Sequence, residues 1–150
     1  NTNALSERPG VATGELSLVG SGVDVHVPWA LLVPTPDIDL LTGLSLQPTA
    51  GRVSDVTPAV LSLVAGAIIP KPGPQVIAVE ALEVHLRRGD ELIGILARRR
   101  ELLPGRYTFG LTGRGPSGER LPRGSYVIRV VARPGAGQRA QSEDVSYEVR

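Results

Sequence analysis

Apolar and polar side chains alternate most clearly in two stretches of the second half of the chain. Residues 106–112 carry a large apolar side chain at every second position, namely Tyr107, Phe109 and Leu111. Residues 125–133 alternate in the same way, with an apolar face formed by Tyr126, Ile128, Val130 and Ala132. Because successive side chains of a strand point to opposite faces, each stretch predicts a strand with one buried face. The turn-rich residues between them predict that the two strands pair as an antiparallel hairpin.

The first 36 residues predict a second hairpin and a linker. Residues 14–19 and 23–27 alternate on either side of Gly-Ser-Gly, which is a turn signal between strands. Residues 34–36 read Pro-Thr-Pro, an extended and stiff linker. A domain of fewer than about 40 residues rarely holds a core without help. We therefore interpret residues 1–33 as the closing strands of a domain whose earlier strands are missing, or alternatively as strands that pair onto the following sheet.

The remainder of the chain predicts one β-sandwich domain. Five further strands are predicted by the same patterns, at residues 38–46, 58–69, 76–88, 91–97 and 144–149. Residues 58–69 are apolar on both faces, and their Val and Ile content favours a buried strand over a short helix. In residues 76–88 the side chains expected to face inward are Leu82, Val84 and Leu86. Many short strands without a long helix predict an all-β fold, an immunoglobulin-like or fibronectin-III-like β-sandwich over residues 37–150.

Composition supports a globular chain and excludes several kinds of chemistry. Hydrophobic residues make up 41% of the sequence, and 18 Gly with 13 Pro are typical of many turns. The net charge of +1 supplies no overall field for nucleic acid or an anionic membrane, and no apolar run is long enough to predict a membrane span. The absence of cysteine excludes disulfides, cysteine-ligated metals and thiol catalysis. Since the chain begins at Asn1 and contains no methionine, we expect it to be part of a longer polypeptide.

The candidate catalytic residues are two serines and the two histidines. Ser45 and Ser117 lie in GLSLQ and GPSGE, and neither matches the GxSxG motif of a nucleophilic serine. Ser117 is better explained by a tight turn. His26 and His85 lie 59 residues apart on the polar faces of predicted strands, so we interpret both as solvated surface residues rather than metal ligands. We predict no catalytic residue and no cofactor, and the chain is therefore not expected to be an enzyme.

Two pairs of acidic residues are the candidate calcium ligands. Asp37 with Asp39, and Glu143 with Asp144, resemble the loop carboxylates that bind calcium in some β-sandwiches. Because calcium takes six to eight oxygen ligands, two acids are too few, and we predict no metal site. GRGPSG at residues 113–118 lacks the lysine and the strand-to-helix context of a phosphate-binding loop.

The remaining candidates are a basic run and the single tryptophan. Residues 98–100 are all arginine, which we interpret as protection of a sheet edge rather than as a site for an acidic partner. Nucleic-acid binding would require a basic face with exposed aromatic side chains, whereas the aromatic side chains here are predicted to face inward. Trp29 has apolar neighbours on both sides, so we expect it to be buried.

Two stretches resemble known secreted modules. Residues 12–33, with Val-Pro-Trp at residues 27–29, resemble the end of the fibronectin-III-like domain that follows the catalytic domain of large secreted bacterial subtilases. Residues 103–132 resemble the immunoglobulin-like module of flagellar hook-capping proteins, which also occurs at the C-termini of many secreted bacterial enzymes. The matching elements are residues 105–107, 113–118 and 122–126. Leu-Thr-Gly at residues 111–113 replaces the usual Trp-Asp-Gly, which favours the enzyme-appendage version of the module.

These resemblances imply a function for the chain. They imply a non-catalytic C-terminal accessory region of a secreted subtilisin-like serine protease, which spaces or stabilises the catalytic domain of the same polypeptide outside the cell. The catalytic Asp, His and Ser motifs of that family have no match here, so no catalytic role is carried over. The alternative is a stand-alone cell-surface binding or adhesion module for glycan, cell wall or protein. That alternative predicts exposed aromatic side chains, for which Trp29 is the candidate.

Overall fold

The computed structural model describes residues 10–20, 22–33, 38–70, 74–135 and 139–150. All regular secondary structure in these residues is β-strand, so the predicted all-β class is confirmed. Contacts divide the chain into two compact units, Asn1–Asp37 and Ile38–Arg150.

The described part of the first unit is one long hairpin. Strand β1 (Gly10–Gly20) pairs antiparallel with β2 (Val23–Val33), and the register runs from Gly20 opposite Val23 to Gly10 opposite Val33. Gly22 in the turn has a φ of 84°, which glycine adopts without the steric cost of a Cβ. The predicted hairpin is confirmed, and both strands extend beyond the predicted residues.

The described residues of the second unit form ten strands. In chain order they are β3 (Leu41–Gln47), β4 (Ala50–Gly51), β5 (Ala59–Ala65), β6 (Ala67–Ile69), β7 (Gln75–Ile77), β8 (Val79–Arg88), β9 (Glu91–Leu102), β10 (Gly105–Leu111), β11 (Gly124–Pro134) and β12 (Gln141–Val149). One sheet has the order β10-β5-β3, and the other has the order β4-β12-β11-β8-β9. Strands β6 and β7 form a separate short pair. Two facing sheets of this kind make an all-β sandwich, as predicted.

The core lies between these two sheets and consists of alternate residues of their strands. The inward-facing residues predicted for residues 76–88 and 125–133 are all buried, including Leu86 and Ile128 at 0% exposure. Leu61 and Leu63 of β5 contribute the opposite side of the core. Period-two alternation therefore identified the buried face of each of these strands.

The predicted pairing of the two clearest strands is wrong. Strand β10 pairs with β5, whereas β11 pairs with β8 and β12, so the two lie in different sheets of the sandwich. The residues between them, 112–123, form a connection that crosses from one sheet to the other. Alternation shows which side chains face the core, but it carries no information on which strand lies alongside. Both sheets bury one face against the same core, so either pairing agrees with the pattern.

A hydrogen bond at the start of β11 is of a kind that is typical of immunoglobulin-like sandwiches. The hydroxyl of Tyr126 donates to the carbonyl oxygen of Pro122 over 2.7 Å. A tyrosine that bonds back to the backbone a few residues upstream is the tyrosine corner of these sandwiches. The bond satisfies a phenol whose ring is buried, so the chain can enter β11 with its aromatic side chain in the core.

Two predicted strands are each divided in the structure. Residues 58–69 are extended, as predicted, but Gly66 with a φ of 76° separates β5 from β6. The prediction that both faces are buried is wrong, because Val60 and Ile68 are 42% and 64% exposed. Residues 76–88 are divided at residue 78 between β7 and β8. The two halves pair with different strands, which is a tertiary property that the apolar pattern does not contain.

Candidate functional site

The two candidate serines lie on ordinary structural positions. Ser45 is exposed on β3, and Ser117 lies in the turn of residues 116–117, as predicted. The backbone N–H of Gly118 donates to the carbonyl oxygen of Gly115 over 3.0 Å, which closes that turn. Neither position provides the strained strand-to-helix elbow that exposes a nucleophilic serine.

The hairpin places a serine, a histidine and a glutamate side by side. Ser17 lies opposite His26 on the paired strand, and its Oγ is 3.1 Å from His26 Nδ1. Glu15, two residues before Ser17 on the same face, contacts the same His26 nitrogen. A catalytic triad requires the serine on one ring nitrogen and the carboxylate on the other. Because both partners contact Nδ1, this cluster has the composition of a triad without its geometry.

His26 was a candidate from the sequence, whereas Ser17 and Glu15 were not. Their positions nine and eleven residues earlier become neighbours of His26 only through the hairpin register. The tight Gly-Ser-Gly turn was the one signal from which this register could be derived, because loop length sets the pairing of a hairpin. His26 is on the surface, as predicted, with a side chain that is 54% exposed.

The candidate calcium ligands do not form a cluster in the described residues. Asp37 lies outside the described residues, and Asp39 is exposed. Asp144 accepts hydrogen bonds from Arg129 Nε and Nη2, each over 2.7 Å, so both of its carboxylate oxygens face a guanidinium. Arg129 lowers the pKa of Asp144 through these bonds and through its charge. No group of three or more metal-ligating side chains occurs in the ranges that the structure describes.

The arginine run lies where the sequence placed it. Residues 98–100 belong to β9, which is an edge strand of the five-stranded sheet, and all three are exposed. The predicted edge position is therefore confirmed. Charged side chains on an exposed edge oppose pairing with another chain.

Arg98 also belongs to a charged cluster on the outer face of this sheet, centred on Glu83. Arg98 Nε lies 3.0 Å from one Glu83 oxygen, while His85 Nε2 donates to the other over 2.9 Å. Arg133 Nη2 is 3.6 Å from that second oxygen. The His85 bond and the two arginines lower the pKa of Glu83 against the opposing effect of burial. The prediction that His85 is solvated is wrong, because its side chain contacts Glu83 and is only 14% exposed.

We expect Glu83→Gln to reduce the free energy of unfolding by about 1 kcal/mol at pH 7, since it removes a carboxylate that three donors share. The folded-state pKa of Glu83 is lowered, so the carboxylate stabilises the fold above its unfolded pKa, near 4.3. That contribution is lost as the pH falls through the folded pKa. The free energy of unfolding of wild type and variant should be measured by urea unfolding between pH 7 and pH 3. The difference between the two free energies should become smaller below about pH 4. A difference that is constant across this range would contradict the prediction.

Glu80→Gln is the matched control for this measurement. Glu80 is exposed on the same strand, β8, and its side chain makes no hydrogen bond or ion pair with the described residues. Its substitution removes the same charge without breaking the cluster. We expect its stability to match wild type at every pH.

One face of the hairpin is apolar and exposed. Because opposite residues in the register share a face, side chains from both strands lie together there. The large ones are 40–56% exposed, and we call them the apolar hairpin face: Leu16, Leu18, Val25, Val27, Trp29 and Leu31. The opposite face carries the polar cluster around His26. The hairpin therefore has the two-sided character of a strand pair from a sandwich.

Trp29 was expected to be buried, and this prediction is wrong. Its side chain is 40% exposed and lies over Gly14, which it faces across the strand pair. A Cβ on Gly14 would come within 2.4 Å of the indole, so only glycine leaves room for the ring there. The local sequence is apolar as noted, but its neighbours alternate between the two faces, and one layer of strands cannot enclose a side chain.

Comparison with known protein families and curated proteins identified no relative of this chain. No protein-family model matches the chain, and no curated protein matches its sequence. In the part of the chain that the structure describes, no helix is long and apolar enough to cross a membrane.

Proposed function

We propose that the chain is a non-catalytic accessory region of a longer, secreted polypeptide, and that this polypeptide is a bacterial subtilisin-like serine protease. The first unit then supplies the closing strands of a fibronectin-III-like domain. The second unit is a complete sandwich that spaces or stabilises the catalytic domain. The resemblance of residues 12–33 and 103–132 to secreted modules motivates the proposal, and the apolar hairpin face carries it.

The apolar hairpin face supports this function because it needs a cover. An isolated two-stranded hairpin is marginally stable in water, and stability requires further strands or a packed layer. Six large apolar side chains on one face are enough to form one side of a sandwich core, about 10 Å from a facing sheet. We assign that facing sheet to earlier strands of the same domain. The polar cluster on the opposite face would then be the solvent side.

Proline within the hairpin supports the same assignment. Val27 and Trp29 of the Val-Pro-Trp motif are on the apolar hairpin face, and Pro28 between them points to the other side. Proline has no backbone N–H to donate, so it suits a strand at the edge of a sheet. A final strand that closes one sheet of a sandwich has such an edge position.

The proposal is tested on the native protein. Antibodies raised against this chain would capture the antigen from the culture medium of the source, and a fluorophosphonate probe would then label any active serine hydrolase in it. We expect a labelled band much larger than the 15.8 kDa of the chain. An unlabelled band, or capture from the cell interior alone, would contradict the proposal.

A second function, a cell-surface binding module, is favoured by the exposure of Trp29. Exposed aromatic side chains commonly serve as binding contacts, and this indole is 40% exposed. If this function is correct, the chain alone should bind cell-wall preparations of the source, and Trp29→Ala should abolish binding. Ile68→Ala, which truncates an exposed apolar side chain of the second unit, is the control. Equal binding of all three proteins would exclude Trp29 as the contact.

A further inference from the structure

A cleft at one end of the second unit lies between two ordered loops. Its volume is about 820 Å³, within the range of ligand-binding clefts, and residues 52–57 and 112–114 form two of its walls. Arg120, Leu121 and Arg123 extend the second wall towards β11. No part of this cleft includes the apolar hairpin face or the Glu83 cluster.

Close packing and a two-point ion pair hold the walls in place. Gly113 has a φ of 74°, and a Cβ there would come within 2.9 Å of Val53 Cγ2, so the absence of a side chain lets the loops touch. Arg114 donates from Nε and Nη2 to the two oxygens of Asp55, over 3.0 and 2.9 Å. Arg114 also donates from Nη1 to the carbonyl oxygen of Gly118. The cleft is therefore preorganised rather than formed by loose loops.

The first loop is also ordered internally. The hydroxyl of Ser54 accepts hydrogen bonds from the backbone N–H groups of Val56 and Thr57 and lies 2.9 Å from the Thr57 hydroxyl. Such local side-chain bonds fix a turn without help from a sheet. This turn keeps Arg52 and Asp55 at the cleft.

The side chains that line the cleft carry mostly positive charge. Five arginines and one carboxylate line it, although the whole chain has a net charge of only +1. Arg114 is engaged by Asp55, and Arg150 donates to Glu148 over 3.1 Å. The other three arginines are exposed, and they make no side-chain hydrogen bond or ion pair with any residue that the structure describes: Arg52, Arg120 and Arg123. Three guanidinium groups are thus available, and each of them can bind a carboxylate through two parallel N–H donors.

The remaining lining indicates which kind of anion fits. Aliphatic side chains lie among the arginines, including Val53, Leu121 and Val149, and Val56 is 90% exposed at the rim. Among the described lining residues there is no aromatic side chain on which a nucleic-acid base could stack. Guanidinium groups interspersed with aliphatic side chains match an extended peptide in which acidic and aliphatic residues are mixed. Recognition of acidic motifs by arginine clusters is a recurring mode of peptide binding.

We propose that this cleft binds an acidic peptide segment of a protein partner, with Arg52, Arg120 and Arg123 as the carboxylate-binding residues. The walls held by Asp55 and Arg114 position these three side chains. Aliphatic side chains of the peptide pack on the valines and Leu121. This inference does not rest on the proposed protease relationship, since it concerns the second unit alone.

The test is a fluorescence-anisotropy titration of the whole chain with a labelled peptide of alternating glutamate and valine, in about 20 mM salt. We expect saturable binding that weakens as salt rises, and no binding to the peptide with glutamine in place of glutamate. Replacing Arg52, Arg120 and Arg123 together by glutamine should raise the Kd about tenfold or more, with the unfolding midpoint unchanged. Replacing the same three by lysine should raise the Kd by a smaller factor, because the charge remains while the two-donor geometry is lost.

The matched control removes the same number of charges elsewhere. Arg99, Arg100 and Arg106 are exposed and do not line the cleft, so replacing these three by glutamine should change the Kd by less than about threefold. An equal loss in both triple variants would show non-specific charge attraction and overturn the proposal. No binding at about 1 mM peptide would overturn it too. Tighter binding of a sulfated oligosaccharide or an oligonucleotide would also overturn it, in favour of that ligand.

Discussion

Replacing Leu61 by alanine should reduce the free energy of unfolding by about 3 kcal/mol, one of the two largest effects expected in this protein. Leu61 is completely buried in β5, the central strand of the three-stranded sheet. It lies opposite Phe109 on one neighbouring strand and Leu46 on the other. Truncation removes three carbon atoms from the core and leaves a cavity. Strands on both sides of β5 limit the collapse that would fill this cavity.

Urea unfolding followed by far-ultraviolet circular dichroism measures this effect. Val60→Ala is the control, because Val60 is adjacent in the same strand but 42% exposed on the outer face. We expect that variant to lose less than about 1 kcal/mol. If the two variants lost equal stability, the assignment of inner and outer faces of β5 would be wrong.

Gly66→Ala is the second substitution with a large expected effect. Gly66 separates β5 from β6 with a φ of 76°, where a Cβ costs about 1–2 kcal/mol. The added Cβ would also lie 2.8 Å from the carbonyl oxygen of Ile77 and 2.9 Å from Pro104 Cα. Both are backbone atoms, so the clash is relieved only by moving a chain segment. The total loss should be about 2–4 kcal/mol, with a lower denaturation midpoint in the same urea assay.

Gly89→Ala separates the two causes. Gly89 has a φ of 59°, but a Cβ there would meet no atom within 4 Å. Its replacement should therefore carry the backbone cost alone, about 1–2 kcal/mol. The excess loss in Gly66→Ala then measures the close approach of β7 and residue 104 to this turn. An equal loss in the two variants would mean that the backbone relaxes around Gly66.

The sequence by itself determined the fold class, the first hairpin and the buried face of most strands. These properties are local, because a period of two in hydrophobicity and a Gly-Ser-Gly turn each depend on neighbouring residues. The predicted linker at residues 34–36 lies outside the described residues. Leu82, Val84 and Leu86 alternate with polar residues, and the structure buries all three. The edge position of the arginine run at residues 98–100 could also be predicted from local sequence, because consecutive charged residues are typical of an unpaired sheet edge.

Which strands and which side chains are neighbours was decided by the tertiary structure alone. Strands β10 and β11 both alternate, yet only the assembled sandwich separates them into two sheets. His85 is half-buried in a cluster where Glu83 of its own strand also meets Arg133 of β11. Trp29 is exposed although its local sequence is apolar. The arginine cleft brings residues 52–57 next to residues 112–123, about 60 positions apart in the chain. Hydrophobic patterning specifies the direction of a side chain, whereas a site requires contacts between distant segments, which only folding creates.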